Sequence, residues 1–274
     1  MTAPPILETR GLTCRFGGVT AVDNVDLAIA EGELRCLIGP NGAGKSTLFK
    51  CMTRQLRATS GDILLRGQSV VGSYPHQIAR RGVAIKNQIA SVYSGLSVRE
   101  NIWIAGRRRR RGDELEHSVT AILGEIGFNE PSRFNLKVDE LSHAHRQWVE
   151  LGMLLATDPI LALLDEPAAG MTRDEMLKTI KLIRRLNEFA TIIVAIGDNP
   201  ATDREGARRM GVTCVLVGSD PGAHFQNLAE MVGSSQPPRG SEAVPGGRLR
   251  RPEFFGDRGA GSLRASKSNL NGGG

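Results

Sequence analysis

The stretch Gly39-Pro40-Asn41-Gly42-Ala43-Gly44-Lys45-Ser46-Thr47 fits the spacing G-x-x-x-x-G-K-[ST] at every position. Glycines at that spacing let backbone N–H groups turn inward around phosphates, while Lys45 reaches the terminal phosphates and the Ser46 hydroxyl suits Mg²⁺. Gly39 to Thr47 is therefore the expected binding loop for a nucleoside triphosphate. Such a loop has to join a strand to a helix. The apolar run Leu34 to Ile38 supplies the strand, and Ser46 to Met52 opens a helix whose N-terminal dipole favours phosphate.

A carboxylate pair in Ile160-Leu161-Ala162-Leu163-Leu164-Asp165-Glu166-Pro167 decides what is done with the triphosphate. An apolar run ending in Asp reads as a buried parallel strand that delivers a carboxylate to the metal at its C-terminal end. Asp165 is the expected holder of Mg²⁺. Glu166, on the other side of the strand end, is placed to accept a proton from water attacking the γ-phosphate. A glutamate there implies hydrolysis rather than transfer to another substrate.

Between these two sites, Leu141-Ser142-His143-Ala144-His145-Arg146-Gln147 starts a helix that runs on from Trp148 to Leu155. The segment resembles the Leu-Ser-Gly-Gly-Gln signature of ATP-binding-cassette (ABC) ATPases, and it stands shortly before Asp165-Glu166 as in that family. The resemblance implies a head-to-tail dimer that sandwiches ATP, with Ser142 and its helix N-terminus addressing the γ-phosphate held by the partner's loop. It assigns Gln88, in Lys86-Asn87-Gln88-Ile89-Ala90, to the glutamine that joins two subdomains and senses Mg²⁺ or the attacking water. Phe16, in Cys14-Arg15-Phe16-Gly17-Gly18, matches the aromatic that stacks on adenine; a core Phe at a strand end would look the same. The likeness covers residues 6 to about 200.

Within that family the chain most resembles the ATPases of branched-chain amino acid and urea importers, through Phe16-Gly17-Gly18, Ser97-Val98-Arg99-Glu100-Asn101, Gln147 to Leu155 and Asp165 to Thr172. The Leu-Ser-His start, Gln147-Trp148 and Gly170-Met171-Thr172 point to the urea type. The resemblance implies an ATP-hydrolysing subunit on the cytoplasmic face of the cell membrane, partnered by a second ATPase subunit of the same or another kind. Transmembrane permease subunits would attach it to the membrane, and a periplasmic or extracellular solute-binding protein would act indirectly.

Two departures from the pattern stand out. Ala144 replaces a signature glycine, and its methyl group is expected to approach the phosphate at some cost in affinity. After the strand Ala190 to Ile196 the family carries a histidine before an aspartate, whereas this chain has Gly197-Asp198. One reading is a degenerate nucleotide-binding, structural or regulatory subunit with little hydrolysis of its own. Another is a change of reading frame near Val194, which would make the part after residue 195 atypical; Val212 to Val217 can still form a strand.

The order of elements gives an α/β fold. It is a P-loop ABC cassette with a RecA-like parallel-sheet core, an N-terminal antiparallel β part and a helical subdomain at about 88–156. Strands are expected at Leu7–Cys14, Val25–Ile29, Leu34–Ile38, Asp62–Leu65 and Val83–Lys86, and helices at Val98–Ala105 and Glu114–Ile126. With 274 residues, 40 % of them hydrophobic, one domain at 6–233 accounts for the core. Residues 234–274, rich in Gly, Ser, Pro and Arg, read as a disordered tail. The tail holds Arg239, Arg248, Arg250, Arg251, Arg258, Arg264 and Lys267 against Glu242, Glu253 and Asp257, most of the net charge of +6. A basic tail rather than a basic face argues against a nucleic-acid partner. The run Arg107 to Arg111 reads as a solvated loop, or one near anionic lipid heads. The four cysteines lack C-x-x-C spacing and suit reduced thiols. No apolar run reaches membrane-spanning length, and the N-terminus shows no signal pattern.

Overall fold

The computed structural model describes residues 4–197 and the backbone of two strands at 213–216 and 226–227. β1 (Leu7–Phe16) and β2 (Val19–Ile29) form an antiparallel hairpin, and β3 (Leu34–Ile38) leads through the phosphate loop into α1 (Lys45–Met52). β4 (Ser60–Leu65) pairs with β1, and β5 (Gln68–Ser69) adds a short edge. After α2 (Pro75–Arg80) and β6 (Val83–Lys86), α3 (Val98–Gly106), α4 (Gly112–Glu125), α5 (Pro131–Phe134) and α6 (His143–Thr157) build a helical lobe. The chain returns as β7 (Leu161–Asp165), α7 (Arg173–Asn187) and β8 (Thr191–Ile196), followed by β9 (Thr213–Leu216) and β10 (Gln226–Asn227).

Two sheets result. One is antiparallel, in the order β2-β1-β4-β5; the other runs β10-β9-β3-β8-β7-β6 and is parallel except at β10. The fold is the α/β P-loop cassette expected from the sequence. β7 and β8 are apolar almost throughout because both of their faces are covered. Leu163 and Ile193 share one core with α1 and the antiparallel sheet, whereas Leu164 and Val194 share the other with α6 and α7.

Local signals set the helix starts. Ser97 and Glu100 form a reciprocal capping box on α3, Thr172 and Glu175 do the same on α7, and Ser142 caps α6. Gly152 of α6 faces Ile102, Ile122 and Ile126, where a side chain would crowd the approach of α3 and α4.

The structure departs from the sequence expectation in several places; β1 runs on to Phe16 and β4 begins at Ser60, each two residues beyond its expected bound. β2 begins at Val19 rather than Val25, because Thr20 and Val22 pair with Arg15 and Cys14, and irregular register carries the polar Asp23-Asn24 past them. α4 starts at Gly112, ahead of the expected Glu114. Arg107 to Arg111 is not simply a solvated loop: Arg107 lies over Trp103 at 4.9 Å, and the buried Arg110 donates to Ala156 O at 3.0 Å near the C-terminal end of α6. The expected strand at Val212–Val217 is β9, whereas the tail at 234–274 lies outside the described residues. Among the described residues no helix is long and apolar enough to cross a membrane.

The two lobes meet through buried charge. Lys86, at the end of β6, is fully buried and lies 3.6 Å from Glu150 of α6. Glu150 also accepts the Ser91 backbone N–H at 3.0 Å, and Lys86 donates to Asn87 O at 3.1 Å. Burial pushes the Lys86 ammonium down and the Glu150 carboxyl up from their ordinary values, and each partner opposes that push. Removing one partner strands the other charge. Lys86→Met is expected to cost about 3–5 kcal/mol in denaturant unfolding, with Lys86→Met/Glu150→Met recovering most of it.

Candidate functional site

The C-terminal ends of β3, β6, β7 and β8 lie along one edge of the parallel sheet, the edge at which such sheets place their ligands. β3 ends at Ile38, and Gly39 donates its N–H to Ile196 O at 3.4 Å, so the phosphate loop starts against β8. The loop curls back through Ala43 N–H to Pro40 O at 3.2 Å. Gly42 and Gly44 have φ of 87° and 86°. At Gly44 a Cβ would overlap the Ala21 carbonyl oxygen, so glycine is needed there for space as well as for conformation. Gly44 is also the N-cap of α1 and supplies no side-chain cap, which leaves first-turn N–H groups for an anion.

The Lys45 side chain is buried and folded across the loop, with Nζ donating to Gly39 O at 2.6 Å and Pro40 O at 2.9 Å. Ser46 follows in the first turn and is exposed. Asp165 closes β7 with only 7 % of its surface exposed, and its Oδ1 is buried without a hydrogen-bond partner. A buried carboxylate oxygen in that condition fits a hard cation. The residues present therefore suit Mg²⁺, with Asp165 and Ser46 as the oxygen donors.

Glu166 takes φ of 44°, a left-handed conformation unusual outside glycine, and its N–H is fixed to Ala195 O at 2.9 Å. Its carboxylate Oε2 accepts the Gln88 Nε2–H at 2.8 Å. Gln88 lies beyond the end of β6, and its own carbonyl accepts Gln147 Nε2–H at 3.1 Å. The glutamine loop, the carboxylate strand and α6 are thus joined in one chain of hydrogen bonds.

Phe16 ends β1 and is 47 % exposed, which removes the core alternative. The hairpin carrying it also carries Ala21, against which Gly44 packs, so the ring stands on the element beside the phosphate loop. Ser142 is exposed at the N-terminus of α6, with local hydrogen bonds to His145. The methyl of Ala144 is buried in the core of the helical lobe, against the expectation that it approaches phosphate: a residue in the first turn of an amphipathic helix points to whichever side its position dictates, and this one faces inward. Gly197 directly follows β8 on the same edge as the phosphate loop.

Residues 22–169 match the ABC transporter family. The chain belongs to the ABC transporter family. It is 35 % identical over 210 residues to the high-affinity branched-chain amino acid transport ATP-binding protein LivG of Escherichia coli K12, covering 70 % of this chain and 81 % of that one. BraF of Pseudomonas aeruginosa, a protein of the same description, is 33 % identical over 208 residues, with the same coverage of 70 % and 81 %. A solved dimeric ATP-binding cassette in a post-hydrolysis state with ADP and phosphate shares the fold at a TM-score of 0.68 and 23 % identity, covering 81 % of this chain and 98 % of that one. Residues 170–230 match a second family, described as HAD-hydrolase-like. That match includes α7 and β8, yet β8 pairs with β3 and β7 in continuous register within the cassette's sheet.

Lys86, Gln147 and Glu150 are the site-supporting residues that sequence reading missed. A lysine closing an otherwise apolar strand was the available signal. Lys45→Ala removes a charged donor worth about 1.5–3 kcal/mol per bond to phosphate, so ATP affinity measured by calorimetry is expected to fall on the order of 100-fold.

Proposed function

We propose that the chain is an ATP-binding and ATP-hydrolysing subunit that drives an ABC importer. The observation that carries this reading is the Gln88–Glu166 hydrogen bond of 2.8 Å at the same sheet edge as the phosphate loop and Asp165. Within the loop Gly39 to Thr47, backbone N–H groups of Gly42 and of Gly44 to Thr47 and the Lys45 ammonium hold the β- and γ-phosphates, and Phe16 stacks on adenine. Asp165 and Ser46, with Gln88 at the edge of the site, hold Mg²⁺, which when bound offsets phosphate charge. Gln88 orients a water in line with the γ-phosphate. Glu166 takes a proton from that water as its oxygen bonds to phosphorus and the bond to the bridging oxygen of ADP breaks.

Ser142 lies outside this constellation, at an exposed helix N-terminus suited to anion binding. A second subunit placed head to tail would bring that terminus to the γ-phosphate of its neighbour. This completes each site from two chains and makes ATP the agent that closes the dimer. Permease subunits spanning the membrane, with an external solute-binding protein, would convert closure and reopening into transport at the cytoplasmic face.

The Leu141-Ser142-His143 start of the signature, together with Gln147-Trp148 and Gly170-Met171-Thr172, favours urea as the solute. The relatives LivG and BraF, named for branched-chain amino acids, supply the second candidate. The intact Gln88–Glu166 pair supports turnover by this chain over a binding-only role.

Glu166→Gln keeps the bond to Gln88 within reach but removes the base. Phosphate release is expected to fall at least about 100-fold while ATP stays bound in a closed dimer. Unchanged release would overturn the role of Glu166. Uptake of labelled urea and labelled leucine by the assembled complex in vesicles separates the two solutes.

A further inference from the structure

Ser142 has a single hydroxyl proton, and a neighbour is already positioned to take it. Its Oγ lies 2.7 Å from His145 Nδ1, and the same oxygen accepts the His145 backbone N–H at 3.4 Å. A neutral ring carrying its proton on Nε2 accepts a hydrogen bond from that hydroxyl at Nδ1. A cationic ring donates Nδ1–H instead and leaves the O–H free to turn elsewhere.

The ring is well held for such a part. It packs edge-on against Trp148 and Phe128, at centroid distances of 4.8 Å and 5.8 Å, and Trp148 is itself anchored by donation to Thr179 Oγ1 at 3.0 Å. Charges face it from two neighbouring helices: Lys178 and Glu175 from α7, and Arg133 from α5. Burial first, then Lys178 and Arg133, hold His145 below the ordinary histidine value, with Glu175 opposing. Burial and these two cations thus favour the neutral ring in the separated chain, and in its Nε2–H tautomer that ring engages the Ser142 hydroxyl proton.

We propose that His145 is a positioning residue that withholds the Ser142 hydroxyl from the neighbouring subunit's γ-phosphate when neutral and releases it when protonated. This rests on the assignment of Ser142 made under the proposed function. On protonation, Nδ1 takes a proton from solvent and donates it in a hydrogen bond to Oγ, while the serine O–H swings toward the phosphate and the new cation faces an anion.

The sign of the pH dependence follows from linkage. An arriving triphosphate favours the cationic ring, so the closed dimer binds more protons than the separated subunits, and ATP-driven association strengthens as pH falls. The ceiling is about tenfold per pH unit per site.

Two measurements test this on the full chain. In the Glu166→Gln background with Mg²⁺ and ATP, sedimentation is expected to show association tightening about five- to tenfold from pH 7.5 to 6.5. His145→Gln should flatten that slope, and His143→Gln should leave it. A slope that survives His145→Gln, or runs the other way, overturns the proposal while leaving the dimer intact. Absence of an ATP-dependent dimer at every pH removes the assignment of Ser142 and the proposal with it. Nitrogen NMR of the separated chain gives a readout independent of dimer formation. The expected result is a neutral His145 with Nδ1 unprotonated at pH 7.5, altered by Ser142→Ala; a cationic ring at that pH contradicts the proposal.

Discussion

The alignment of parallel strands is the constraint on which everything else in this molecule depends. Parallel pairing of β3 with β8, β8 with β7 and β7 with β6 brings four chain segments to one edge with their C-terminal ends in register. The phosphate loop, Gly197, Asp165-Glu166 and Gln88 stand at or just beyond those four ends. A one-residue slip of β7 would turn the row Leu161, Leu163 and Asp165 to the opposite face of the sheet, where the row Ala162 and Leu164 now packs. The apolar composition of these strands is therefore a condition for the chemistry as much as for stability.

The helical lobe is coupled to that edge by few but strong links. Lys86–Glu150, Ser91 N–H to Glu150 and Gln147 to the Gln88 carbonyl all run from α6 to the segment that carries Gln88. Buried charge of this kind adds little net stability but tolerates few arrangements, because a displaced partner leaves an unpaired charge in an apolar setting. These contacts link α6 to Gln88, and Gln88 to Glu166. The helix that begins at Ser142 and the Gln88–Glu166 pair are thereby joined through hydrogen bonds and one buried ion pair.

Much of the site was legible in the sequence because it is written locally. The phosphate loop is a contiguous stretch whose glycines are dictated by backbone geometry, and Asp165-Glu166 stands at the visible end of an apolar run. The strand and helix order followed from the same periodicities. What depended on tertiary packing was not legible. Whether Phe16 is buried, which way the Ala144 methyl points, and that Lys86 meets Glu150 are decided by contacts between segments distant in the chain. The true start of β2 was hidden by Asp23-Asn24, polar residues that break the alternation while irregular register carries the strand on. The contact between Ser142 and His145 was within reach, since three residues of spacing at a helix N-terminus is the capping distance, but histidine is not a usual member of such a cap.

The central claim is that the γ-phosphate is passed to water activated at Glu166. The most direct measurement is turnover of ATP by the full chain, assembled with its partner subunits, in water labelled with heavy oxygen, followed by mass analysis of both products. The label is expected in inorganic phosphate and not in ADP, as attack at the γ-phosphorus requires. Label in ADP, or loss of the γ-phosphate to an acceptor other than water, would contradict that claim.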